Sequence, residues 1–232
     1  MSSLYKEKSI RIHALVHAIL QFLESKRGRF HGIDLVLKKM QTIDLSLHTV
    51  IDSKPCDTRH ASILAEAIEN ITAPHLRGIA NCLKQARHDL IWREDNAQFY
   101  TPQSDVGDGY RNCNLHSLLV GPDACGFNAK DFSLGLFMLG PRTLYRDHAH
   151  HAPELYVNLS PRSGWRLSTE VWEDYNAGSV IWNAPDTPHA TRSYNDPFLS
   201  IFVWLENIDS ICRVVPFPDW AEIENDLSRN VL

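Results

Sequence analysis

Hydrophobic residues change their spacing partway along this chain, and the change divides it. From Ile10 to Leu23 they recur at helical intervals, at Ile12, Leu15, Ile19, Phe22 and Leu23, and Lys26, Arg27 and Gly28 then signal a stop. A second helical series runs over residues 33–52 through Ile33, Val36, Leu37, Met40, Ile43, Leu47 and Ile51. A third is capped by Asp57 or Thr58, turns Ile63, Leu64, Ala67, Ile68 and Ile71 inward, and ends at Pro74. His75–Leu90 repeats the pattern through Leu76, Ile79, Leu83 and Ala86. After Trp92 the stretch Asp95–Asn114 is polar and rich in turn formers, which reads as a linker or surface loop. From Leu115 the period becomes that of strands: Leu115–Val120, Phe132–Leu139, Leu155–Leu159, Trp165–Val171, Ser179–Trp182 and Phe198–Leu205. Turn residues separate these runs, and short, evenly punctuated strands predict a sandwich or barrel. The chain therefore reads as α+β. Residues 1–92 form an N-terminal helical region, 93–114 a linker, 115–217 a β-barrel and 218–232 a short helix or tail.

Composition narrows the class. The chain has 232 residues, of which 44% are hydrophobic and 22% charged, as in an ordinary globular protein. The net charge is −5, and Lys and Arg are scattered without a basic stripe, which argues against nucleic acid. Apolar runs such as Phe198–Leu205 are too short to span a bilayer, and the first residues lack the apolar core of a signal peptide, so a cytoplasmic protein is expected. Five cysteines at irregular spacing, with no C-x-x-C, fit reduced thiols rather than a disulfide framework. The apolar faces of the helical region exceed what a solvent-exposed extension needs. They would serve a homodimer contact or a cover over the barrel mouth.

The chemistry concentrates between Gly140 and Asn195. His148, His150 and Glu154 fall within seven residues, and His189 follows at the distance of a returning strand. Imidazoles and a carboxylate suit one divalent transition metal, and Fe, Mn, Zn, Co and Ni all accept such ligands. A strand advances about 3.3 Å per residue, so His148 and His150 share a face, whereas Glu154 would lie roughly 20 Å from His148 if the strand ran straight. The chain must therefore turn between His150 and Glu154, and Pro153 is placed to break the ladder. Glu154 and Tyr156 are two apart and point to one side, which brings the Tyr156 phenol beside the ion, while Ala149 and His151 face away. His13 and His17 stand at i, i+4 but have no third ligand.

These residues resemble the cupin motifs. Gly140, His148, His150, Glu154 and Gly164 follow the first motif with longer spacers, and Gly178, Pro185 and His189 follow the second. The pattern H-x-H-x-x-x-E-x-Y, with Tyr145 three residues before the first histidine, is similar to the cupin dimethylsulfoniopropionate (DMSP) lyases. The preceding helices and the length are most like the DddL branch. The resemblance implies a cupin barrel and one divalent ion held by His148, His150, Glu154 and His189. It also implies Tyr156 as the base, with Tyr145 and Trp204 lining the substrate pocket.

The implied reaction is β-elimination of DMSP to acrylate and dimethyl sulfide. A divalent ion would stabilise the negative charge building at the carboxylate end, and its field would favour a phenolate base over a phenol whose ordinary pKa is about 10. A sulfonium needs an aromatic wall, for which Tyr145, Trp182, Tyr194 and Trp204 are the candidates. Arg142, Arg146, Arg162, Arg166 and Arg192 could meet the carboxylate, though solvated surface charge is the simpler reading. Two alternatives stand beside the lyase: an iron-dependent cupin dioxygenase acting on a small acid or thioether, and a non-catalytic ligand-binding cupin.

Overall fold

The computed structural model describes residues 3–56, 58–168 and 171–229. Four helices come first: α1 (Ser3–Glu24), α2 (His31–Met40), α3 (Ala61–Glu69) and α4 (Arg77–Ala86). A short helix α5 (Asp108–Asn112) then precedes ten strands. These are β1 (Asn114–Val120), β2 (Ser133–Leu139), β3 (Leu144–Ala149), β4 (Glu154–Asn158), β5 (Arg162–Leu167), β6 (Trp172–Asn176), β7 (Val180–Asn183), β8 (His189–Arg192), β9 (Phe198–Trp204) and β10 (Arg213–Val214). Helix α6 (Trp220–Ser228) closes the described chain.

The strands form two antiparallel five-stranded sheets, in the orders β1-β2-β9-β4-β7 and β10-β3-β8-β5-β6. The first sheet is buried on both faces, which is why its strands read as nearly continuous apolar runs. One face carries Leu134, Leu136, Met138, Leu155, Val157, Leu199, Ile201 and Val203, which share a core with Ile12, Leu15, Ile19, Ile33 and Leu83 of the helices. The opposite face carries Phe137, Leu139, Tyr156, Ile181 and Phe198, which join Tyr145 and Trp165 of the second sheet in an interior aromatic core. Helix α6 lies against the outer side of β3, where Ile223 and Leu227 pack on Leu144 and Tyr194. The site thus sits between two sheets, each backed by helix.

The local differences from the sequence reading have physical causes. Helix α2 ends at Met40, not beyond it; a short 3-10 turn at Leu47–Thr49 follows, and Leu47 is exposed. Of the two caps suggested for α3, Asp57 lies outside the described residues, and the Thr58 hydroxyl accepts from the His60 N–H at 3.1 Å. The expected strand Trp165–Val171 ends at Leu167 as β5, and residues 169–170 of it lie outside the described set. Strand β6, W-E-D-Y-N, was hidden in a segment read as turn because it is a mostly exposed edge with polar side chains. No described helix is long and apolar enough to cross a membrane. Among the described residues no cysteine forms a disulfide.

Candidate metal centre and pocket

The centre is assembled from three strand ends. His148 lies near the end of β3, His150 just beyond it, Glu154 opens β4, and His189 opens β8. The turn at 150–153 separates β3 from β4, so the ligands come from both sheets. A ligand atom from each of His148, His150 and His189 lies within 4.8 Å of the others, and all three rings are buried. Glu154 Oε2 is 3.1 Å from His150 Nε2 and 3.3 Å from His189 Nε2. The Trp204 indole donates to Glu154 Oε1 at 2.8 Å and fixes the carboxylate from its far side.

The hydrogen bonds reveal which ring atoms are available. His148 Nδ1 meets the Arg146 carbonyl at 2.8 Å, His150 Nδ1 the Ala152 carbonyl at 2.8 Å, and His189 Nδ1 the Thr187 carbonyl at 2.9 Å. A carbonyl only accepts, so each Nδ1 carries a hydrogen and Nε2 is the ring nitrogen left to face the centre. His189 Nε2 is buried without a hydrogen-bond partner. Burial, then His189 and His150, push His148 well below its ordinary pKa, which keeps that imidazole neutral. Burial alone would raise Glu154, but His150 and His189 outweigh it and hold the carboxyl well below its usual range. Three imidazoles and a carboxylate converging on one point suit a divalent cation, which would take the place of the hydrogen bond between His150 Nε2 and Glu154 Oε2. Backbone carbonyls holding the remote ring nitrogens are also what orients metal-binding imidazoles. The residues present therefore fit the ion that the sequence suggested.

Strand β3 carries a bulge that sequence spacing cannot show. Tyr145 pairs with Thr191 and His148 with His189, three steps on β3 against two on β8. In an unbroken strand, positions three apart would face opposite ways; the extra residue turns both inward. Tyr145 consequently packs on His148, with ring centres 4.1 Å apart. Tyr156 lies on the same face of β4 as Glu154, its ring 4.8 Å from that of Trp165. Burial pushes its phenol well above the ordinary value, and the Glu154 carboxylate adds to the shift.

A cavity of about 360 Å³ reaches this centre. Tyr145, Glu154, Tyr156 and Trp204 line it, together with Tyr100, Tyr110, Phe137, Phe202 and Cys212. Trp182 does not. It pairs with Leu155 on the outward face of β4 and presses on α2, where a Cβ on Gly32 would come within 2.4 Å of its ring. Tyr194 is also displaced from the pocket. It lies outside the second sheet, hydrogen-bonded to Asp174 and Arg192 with the Arg162 guanidinium 3.8 Å over its ring. Trp182 stands on a sheet covered on both faces and so had two interiors to face, whereas Tyr194 lies in the connection between β8 and β9. Arg166 corrects the surface-charge reading. It is buried, and it binds Asp147 at 3.0 and 2.5 Å and Asp219 at 2.6 Å. His151 is exposed and meets Asp186.

The stretch read as linker supplies part of the pocket wall. The Tyr100 hydroxyl bonds that of Tyr145, and the Tyr110 ring stacks on Tyr145 with centres 4.4 Å apart. The signal was present as three aromatics, Phe99, Tyr100 and Tyr110, inside an otherwise polar segment.

Two antiparallel sheets with a buried three-histidine centre between them, and helices outside, make this an α+β protein. Residues 34–200 match the family model of the dimethylsulfoniopropionate lyases, and the chain belongs to that family. The curated relative dimethylsulfoniopropionate lyase DddQ of Ruegeria pomeroyi is 25% identical over 75 residues, 32% of this chain and 37% of that relative's length. Among solved structures, a chain described with the DMSP lyases RdDddP and RnDddQII superimposes with a TM-score of 0.65 at 17% identity, covering 90% of this chain and all of the other. The crystal structure of DddQ from Ruegeria pomeroyi gives 0.61 at 17% identity, covering 84% of this chain and 95% of that one. At such identity these two likenesses show a shared fold.

Proposed function

We propose that this chain is a metal-dependent DMSP lyase that cleaves its substrate by β-elimination to acrylate and dimethyl sulfide. The observation that carries the reading is the buried cluster of His148, His150, Glu154 and His189, whose Glu154 lines a cavity together with Tyr156. A divalent ion held there would supply a Lewis acid for the substrate carboxylate and a positive field that favours phenolate at Tyr156. Tyr156 takes the hydrogen on the carbon next to the carboxylate. The pair from that C–H bond becomes the C=C bond of acrylate, and the C–S pair leaves with neutral dimethyl sulfide. Trp204 holds Glu154 through its indole N–H, so the carboxylate keeps one orientation through turnover. Tyr145 and Trp204 offer ring faces to the sulfonium end. In this reading residues 1–92 cover the barrel, 93–114 complete the pocket, 115–217 form the metal-bearing barrel, and 218–232 are the tail; of these, residues 1, 2, 57, 169, 170 and 230–232 lie outside the described set.

Headspace gas chromatography over purified protein given DMSP, with and without a chelator, tests the proposal. Dimethyl sulfide that vanishes on chelation and returns with added metal supports it. Tyr156→Phe should keep the metal and lose about 10²- to 10⁴-fold in turnover, the usual worth of a positioned base. Near wild-type release from that variant would refute the base.

A further inference from the structure

Asp95 is a buried carboxylate that the mechanism above leaves unused. It is 2% exposed and lines the cavity that holds Tyr145, Glu154 and Tyr156. Its Oδ1 accepts from the Gln98 N–H at 2.9 Å and its Oδ2 from the Tyr110 hydroxyl at 2.8 Å. Asn114 clamps its backbone at both ends, at 2.7 and 2.8 Å. These partners are neutral, and a neutral amide oxygen would satisfy the turn equally well. Among the described residues no cationic side chain forms an ion pair with it. Arg93 lines the same cavity but is exposed. His116 faces the cavity too, but burial holds it below its ordinary pKa against the pull of Asp95, so it brings no charge.

A buried, uncompensated carboxylate is expensive unless a positive group arrives to meet it. The proposed substrate brings one. DMSP is a zwitterion, and the metal centre answers only its carboxylate. The stacked rings of Tyr145 and Tyr110 connect His148 with Asp95 along one wall of the cavity. The Cys212 thiol, on the same wall, is pushed up by burial and then by Glu154 and Asp95, so it stands in the field of both carboxylates.

We propose that Asp95 is the counter-charge for the sulfonium, setting the enzyme's preference for a carboxylate substrate with a cationic far end over one with an uncharged far end. The proposal rests on the lyase reading. The sulfonium charge disappears as the C–S bond breaks, so Asp95 holds the bound substrate more than the transition state. Its loss therefore falls on KM more than on kcat.

The test compares DMSP with 4-methylpentanoate, the isostere with an uncharged carbon in place of the sulfonium, as substrate and competitive inhibitor of the metal-loaded enzyme. Asp95→Asn should raise KM for DMSP about tenfold or more, equivalent to one lost charge contact, and leave Ki for the isostere within about twofold. An unchanged ratio of the two constants, or an equal loss for both ligands, overturns the proposal. The wild-type enzyme offers a second measurement should the variant fail to fold: equal affinity for the two ligands also overturns it. A wild-type protein that releases no dimethyl sulfide overturns the lyase reading, whereas turnover with an unchanged ratio in Asp95→Asn overturns the Asp95 assignment alone.

Discussion

Adding metal to the chelated protein should raise its melting temperature, by an amount the site itself bounds. His148, His150 and His189 turn their Nε2 atoms toward the Glu154 carboxylate and one another, and His189 Nε2 has no hydrogen-bond partner. An ion can meet these groups together in the folded state alone, because the unfolded chain scatters ligands drawn from β3, β4 and β8. At a free ion concentration about a hundred times Kd, linkage gives about 2.7 kcal/mol. For a domain of this size each kcal/mol is worth about 2–4 °C, so the melting temperature should rise by about 5–11 °C. Differential scanning fluorimetry of chelated protein, titrated with Zn, Mn, Fe, Co and Ni, reads this without any substrate. Magnesium is the control, since it prefers an oxygen shell and keeps its waters. His189→Ala removes one imidazole and should lose most of the shift. Silence toward all five ions, or a full shift in His189→Ala, would refute the ligand set.

Two further outcomes follow from packing. Asp147→Ala strips Arg166 of two hydrogen bonds and the Trp220 indole of one, leaving Asp219 as the partner of a buried guanidinium. It should cost about 3 kcal/mol in urea denaturation, the low end for a broken buried pair, and a cost below about 1 would contradict the network. Gly32→Ala adds a methyl that would stand 2.4 Å from Trp182 Cε3. Overpacking of about 1–3 kcal/mol should outweigh the roughly 1 kcal/mol gained in helix propensity, and a more stable variant would show that α2 and β7 are not pressed together.

How much of this was legible in the sequence depended on whether one face or two decided a residue's neighbours. The periods of 3.6 and 2 revealed most helices and strands because each element has a face turned to a core. The ligand set was legible for a related reason. Strand parity and the reach of a side chain forced a turn near Pro153, and the chain turns there, between β3 and β4. Parity then misled at two points. The bulge in β3 adds a residue that no spacing rule anticipates, so Tyr145 and His148 share a face although three positions separate them. On the first sheet, burial on both sides erased the difference between inward and outward aromatics. Tyr156 and Trp182 both lie on that sheet, yet only one meets the cavity. Polar composition concealed the rest. Asp95, Tyr100 and Tyr110 belong to a segment whose hydrogen bonds and ring stacks, not an apolar period, hold it against the barrel. A polar segment that spends three aromatics inside its turns has something to enclose, and here it encloses the end of the cavity that the metal ligands leave open.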